Sequence, residues 1–292
     1  MADNIVKIGM IQMNVLFSEP DKNIRHASEL VKSAKAKGAQ ICVLPECMDL
    51  GWGNPEASSL AEPVPGKVSD AYQKIAAENK VFLVAGLTER EQEKIYNTAL
   101  LISDGGEILY KHRKINVLTG VEDVYAIGDR IGVTETPLGK IGIDICADNS
   151  LNSLSIAITL GRMCADMILS PCAWAVKSDY NIETEPYGKE WHIPYGKISK
   201  MFGIPVIGVS NVGQVSKGSW SGWKAIGNSI AYDSDGSLIT VLPYGESEEC
   251  VQVIDVHLTD KKVTGTALSE KIENDHEWKY HTIAGSKNLS SQ

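Results

Sequence analysis

The sequence predicts an α/β fold with mixed β-sheets, on three observations. Short β-branched runs alternate with stretches of helical apolar spacing. Two hairpins interrupt that alternation, so the sheets are not purely parallel. The hydrophobic fraction, 43% of 292 residues, is enough for a substantial core. The elements follow in order. IVKIGMIQMNV (Ile5 to Val15) and AQICVLPE (Ala39 to Glu46) read as strands. The stretch between them reads as a helix with Asp21 as N-cap and Gly38 as stop. A helix over Val68 to Asn79 leads to a strand over Val81 to Glu89. TALLISDGGEILYKHRK reads as a hairpin turning at Asp104-Gly105-Gly106. PLGKIGIDIC is a turn and a buried strand, LSIAITLGRMCA a helix and DMILSPCAWAV a strand. A helix near Tyr195 to Met201, the strand IPVIGVSNVG and the hairpin AIGNSIAYDSDGSLITVLP complete the pattern.

No Pro/Gly/Ser-rich linker, composition break or internal repeat divides the chain, so residues 1–265 read as one domain. Residues 266–292 form a polar tail whose Trp278 and Tyr280 are expected to dock, for instance on a partner subunit. A formal charge of −9, from 28 Lys plus Arg against 37 Asp plus Glu, argues against phosphate-backbone binding and hence nucleic acid. No apolar run approaches the roughly 18 residues of a membrane span. The first residues lack the basic and apolar regions of a signal peptide. Six cysteines without a C-x-x-C pair are expected to be reduced thiols in a cytoplasmic protein. Six histidines form no H-x-H or H-E-x-x-H motif, so a metal-dependent site is not expected.

Sites in α/β sheets gather at the carboxyl ends of strands. Three segments place a reactive residue there: Glu46 ends ICVLPE, Lys114 follows LYKHR and Cys146 follows GKIGIDI. Each has an ordinary alternative. A lone glutamate is more often a surface or capping residue, Lys114 sits in a basic cluster of the kind solvent usually covers, and cysteine often serves as a small hydrophobe. Together they supply an acid, a base and a thiol.

With these motifs in place, the chain resembles the nitrilase superfamily, the carbon–nitrogen hydrolases. LPEC matches the family's glutamate motif, HRKIN its lysine motif and GIDICADN its cysteine motif; ADMILSPCAW, IPVIGVSNVG and AIGNSIAYDSDG are similar to later family blocks. The resemblance implies a four-layer αββα sandwich with two mixed β-sheets. It also implies a Glu46-Lys114-Cys146 triad without cofactor, and a homodimer or larger homo-oligomer. In this scheme Glu46 is the proton acceptor and later donor, while Lys114 and the Ala147 backbone N–H stabilise an oxyanion. Glu122, in TGVEDVYAIGD, matches a second family glutamate that orients the lysine; alternatively it caps a short helix.

The pocket is less legible. After Cys146 no basic residue occurs until Arg162, which counts against the carbamoyl-amino-acid subgroup, whose members hold a substrate carboxylate with arginine. Residues 173–197 combine Trp174, Tyr180, Tyr187, Trp191 and Tyr195 with four acidic residues. Such a loop reads either as a lid favouring neutral, aromatic or cationic groups over anions, or as a solvated acidic loop with packed aromatics. Trp52, Trp174, Trp191 and Asn211 are the expected substrate-binding residues, with Trp220 and Trp223 as further candidate wall residues. The expected function is hydrolysis of a small amide or N-carbamoyl (ureide) compound through a cysteine thioester. The alternatives are a nitrilase acting on a nitrile, which C-A-D-N favours less than C-W-E-N would, and a catalytically silent binding protein of the same fold.

Overall fold

The computed structural model describes residues 5–259; the expected tail from 266, with Trp278 and Tyr280, lies outside them. The first sheet is built from β1 (Ile5–Gln12), β2 (Ile41–Val43), β3 (Phe82–Glu91), β4 (Lys94–Ile102) and β5 (Ile108–Arg113). Helices α1 (Pro20–Ala36), α2 (Ala57–Leu60) and α3 (Lys67–Asn79) connect its parallel strands. The second sheet is built from β6 (Val133–Thr136), β7 (Gly139–Ile143), β8 (Met167–Cys172), β10 (Val206–Ser210), β13 (Ile230–Tyr232) and β14 (Leu238–Val241). Helices α4 (Leu154–Arg162) and α5 (Lys189–Phe202) join its parallel strands. Short strands β9 (Ala175–Val176), β11 (Val212–Gln214) and β12 (Lys224–Ile226) form a small third sheet. Finally β15 (Cys250–His257) returns to complete the first sheet, beside β1.

The strand order is β15-β1-β2-β3-β4-β5 in one large sheet and β14-β13-β10-β8-β7-β6 in the other. Read from β15 and from β6, both ladders run antiparallel, parallel, parallel, antiparallel, antiparallel. The two halves are thus structural repeats, although their sequences show none. Strand alternation explains the layering. Ile41, Val43, Phe82 and Val84 join Ile141, Ile143 and Val206 in the core between the sheets. Cys42, Leu44, Leu83 and Ala85 point the other way, onto Val31, Ala34, Tyr72 and Ile75 of α1 and α3. Burial on both faces is why these strands read as continuous apolar runs. With α4 and α5 packed on the second sheet, the result is the expected αββα sandwich.

Several boundaries differ from expectation. Helix α1 begins at Pro20 with Glu19 as its N-cap, not at Asp21. Proline suits the first helical position, which leaves Asp21 as a first-turn acid facing the helix dipole. Gly38 does stop the helix, with φ at +94°. Helix α5 starts six residues before Tyr195 and carries Pro194 inside it, a proline that obscures the helical pattern. Strands β6 and β15 have no counterpart in the expected elements: both are edge strands, β6 pairing with β7 across a tight turn and β15 returning from far along the chain to pair with β1. Among the described residues no helix is long and apolar enough to cross a membrane.

Candidate active site

Glu46 lies just past β2, where the chain leaves the sheet. Its backbone passes so close to Gly86 of β3 that an added Cβ there would meet the Pro45 oxygen at 2.5 Å and the Glu46 Cα at 2.7 Å. Glycine at 86 therefore permits the close approach. The Glu46 N–H donates to the carbonyl of Cys172 on the second sheet at 3.2 Å. Lys114 directly follows β5, and its N–H donates to the Asn97 carbonyl on β4 at 2.8 Å. Cys146 follows β7 and opens a 3-10 turn, Cys146–Asn149. Its φ of +49° is a left-handed conformation that a non-glycine residue adopts at some cost.

These three strand ends converge. The Lys114 ammonium donates to Glu46 Oε1 at 2.8 Å and to Glu122 Oε1 at 2.6 Å, all three side chains being buried. Two of its three N–H donors are therefore committed to carboxylates, leaving one for another acceptor. Burial opposes the ammonium, but the carboxylates of Glu46 and Glu122 and the neighbouring Cys146 outweigh it and hold the Lys114 pKa well above the ordinary lysine range. Burial, reinforced by Glu122 and opposed by Lys114, raises the pKa of Glu46. Glu46 Oε1 also accepts from Asn97 Nδ2 at 2.6 Å, whereas Oε2 has no partner among the described residues. Burial, together with Cys172 and Glu46 and opposed by Lys114, pushes the Cys146 thiol well above its usual range.

Glu122 makes contacts in two directions, and among the described residues no helix lies beside it for it to cap. One oxygen holds Lys114 and accepts from Trp52 Nε1 at 2.5 Å; the other accepts from the Leu118 N–H at 2.7 Å and so closes the turn. Asp148, which no sequence signal singled out, binds the two halves of the site together. Its carboxylate accepts from the N–H groups of Ile115 (3.0 Å) and Asn116 (2.7 Å), just after Lys114, and of Ile145 (3.1 Å), just before Cys146. The buried His112 ring completes the knot through Nε2, 2.9 Å from Asp148. Asn97 and His112 likewise were not singled out: Asn97 sits beside Thr98 in β4 and His112 between two basic residues in β5, and only the strand register places them at the site.

A cavity of about 150 Å³ opens over Cys146, Lys114 and Ala147. Trp52, Trp174, Trp191 and Trp220 form its walls, with Tyr187 and Glu190. Trp174 and Trp191 stack at 5.0 Å, and Trp52 leans on Trp220 at 4.9 Å. Three of the four expected substrate-binding residues therefore share the cavity with the thiol. Asn211 does not; it lines a separate recess of about 10 Å³ with Phe17, Ala173 and Val215. Trp223 is also off the cavity, stacked behind Trp220 at 4.1 Å. The acidic segment divides: Tyr187, Glu190 and Trp191 face the cavity, while Asp179, Glu183 and Glu185 are solvent-exposed.

The chain is similar to known proteins. Residues 7–264 match the family model described as carbon-nitrogen hydrolase. The chain is 28% identical to a nitrilase of Pyrococcus abyssi over 88% of its own length and 93% of the relative's. It is 34% identical to the omega-amidase NIT2 of Xenopus tropicalis over 44% of its own length, a match that spans half of that relative. Among solved structures, a carbon-nitrogen hydrolase from Helicobacter pylori G27 superposes with a TM-score of 0.77 at 19% identity, covering 94% of each chain. An amidase from Nesterenkonia sp. superposes at 0.73 with 17% identity, covering 94% of this chain and 97% of that one.

Proposed function

The chain belongs to the carbon–nitrogen hydrolase family, and from that premise we propose that it hydrolyses the C–N bond of a small amide through a thioester on Cys146. One observation carries the reading: Cys146 and Lys114 face the same cavity while Lys114 is held by Glu46 and Glu122. A buried thiol is a poor nucleophile until a base takes its proton. The unpartnered Oε2 of Glu46 is the acceptor for it, because Oε1 is already engaged by Lys114 and Asn97. The sulfur bonds to the amide carbon, and the charge that develops on oxygen meets the remaining Lys114 N–H and the Ala147 N–H. The second N–H of a 3-10 turn has no acceptor within the turn and is free to donate. Collapse breaks the C–N bond as Glu46 returns the proton to the departing amine or ammonia. Water, deprotonated by Glu46, then adds to the thioester, releasing the acid and restoring the thiol.

The nearly full-length similarity to a nitrilase supports a second reading, in which a nitrile adds the thiol to form a thioimidate. Mass spectrometry during incubation with amides, ureides and nitriles tests the proposal. An adduct of acyl mass on Cys146 with amides, absent in Cys146→Ala, is the expected result. Adducts with nitriles only would favour the second reading. No adduct with any of them, together with alkylation of Cys146 no faster than of Cys164, would leave a silent binding protein of this fold. A cytoplasmic homodimer or larger assembly belongs to the same proposal, on the strength of the family resemblance.

A further inference from the structure

The cavity's charges are few, and their distribution is informative. Its only charged lining residues among those described are Lys114 and Glu190. Lys114 is engaged by two carboxylates at 2.8 and 2.6 Å. Glu190 makes no ion pair or hydrogen bond with another described residue, and it stands in the first turn of α5, solvent-exposed at the cavity rim. Its neighbour Trp191 stacks on Trp174 with the planes only 18° apart, and Tyr187, which accepts from Trp191 Nε1 at 2.8 Å, lines the same wall. Glu46, Glu122 and Glu190 thus outnumber the single ammonium, and no guanidinium faces the cavity among the described residues.

We propose that Glu190 and the indole of Trp191, backed by the buried Trp174, form a subsite for a cationic group, so that the preferred substrates are amides carrying an ammonium or guanidinium away from the scissile bond. This inference rests on the amidase reading above and narrows its substrate class. A cation over an indole face is attracted by the ring quadrupole, and a carboxylate at the rim adds charge attraction. An anionic substrate finds no planar cation to bind it and meets a surplus of carboxylates. The cavity volume, about 150 Å³, suits a substrate with a short chain between the two groups.

The test compares kcat/KM for three amides of similar length: γ-aminobutyramide (cationic), pentanamide (neutral) and succinamate (anionic). The expected order is cationic, then neutral, then anionic, with steps of about three- to tenfold for a partly exposed charge. In Glu190→Gln the cationic-to-neutral ratio is expected to fall about three- to tenfold. In Glu190→Arg the order of cationic and anionic substrates is expected to reverse. Turnover of pentanamide with succinamate equal to or better than γ-aminobutyramide overturns this inference alone. An unchanged cationic-to-neutral ratio in Glu190→Gln also overturns it. Failure to turn over any of the three overturns the amidase reading and the inference with it.

Discussion

Replacing Glu122 with glutamine removes one negative charge from a buried group of three ionisable side chains while nearly preserving shape. In the native site the Glu122 carboxylate accepts from Lys114 at 2.6 Å, opposite the 2.8 Å contact with Glu46. A hydrogen bond to a charged group contributes about 1.5–3 kcal/mol. If that interaction holds the ammonium where the oxyanion forms, kcat falls by roughly 10- to 150-fold, at about 1.4 kcal/mol per decade. KM should change much less, because uncharged substrate makes no use of the contact. The pH profile supplies an independent sign. Burial chiefly raises the Glu46 pKa, Lys114 lowers it and Glu122 raises it further. Removing the Glu122 charge should therefore move the acid limb of kcat/KM to lower pH. Steady-state ammonia release across pH measures both effects, and thermal unfolding checks that the variant is folded. An unchanged kcat with a lowered melting temperature would refute the reasoning, leaving Glu122 only to close the turn at Leu118. An acid limb that moved to higher pH would refute the electrostatic account of Glu46.

Further predictions concern the groups around the triad. Asp148→Asn weakens the knot joining Ile115, Asn116 and Ile145 to His112, at a cost of about 1–3 kcal/mol. A fall in kcat larger than the change in KM is expected beside the lower melting temperature; lost stability with normal kcat would make Asp148 purely structural. Asp144, buried two residues before Cys146, has its pKa pushed up to about 8 by burial. Between an ordinary carboxylate pKa and that value, the folded chain keeps a proton that the unfolded chain releases, so stability falls as pH rises across this window and levels off above it. Urea unfolding between about pH 5 and pH 9 should show a shallower decline in Asp144→Asn. Asp49, pushed to about 7 by burial, accounts for part of the decline that remains. Gly86→Ala would drive a methyl group into Pro45 and Glu46, with a folding cost of about 1–3 kcal/mol. Activity is expected to fall with it; full activity would show that the Glu46 segment can shift without consequence.

What the sequence disclosed and what it withheld divide along a physical line. Glu46, Lys114 and Cys146 were singled out because each follows a strand-like run and because their motifs resemble a family. Asn97 and Asp148 were not. Asn97 lies 51 residues from the carboxylate it touches and reaches it only through the register of β4. Asp148 occupies a four-residue turn whose hydrogen bonds run to residues more than thirty positions away. Edge strand β6 is only four residues long with one apolar side chain, whereas β15, CVQVIDVH, does alternate and had no expected counterpart all the same. The aromatic segment was read as either a lid or a solvated loop; Tyr187, Glu190 and Trp191 line the cavity while Asp179, Glu183 and Glu185 are exposed to water. Asn211 lines a small recess that shares Trp52, Ala173 and Ala175 with the cavity, a placement set by tertiary packing and invisible in its local sequence.

The duplicated ladder has a mechanical consequence. Glu46, Asn97 and Lys114 ride on the first sheet, whereas Cys146 and its turn ride on the second. The reacting atoms are therefore gauged across a dry joint between two rigid plates, not set by any single loop. Asp148 and the Glu46–Cys172 backbone bond act as dowels across that joint. Slippage of the sheets by a fraction of a side chain would leave each element intact, yet carry Cys146 away from Glu46 and Lys114. The large apolar interior between the sheets thus serves as the alignment bench of the enzyme, and its close packing sets the tolerance to which the chemistry is machined.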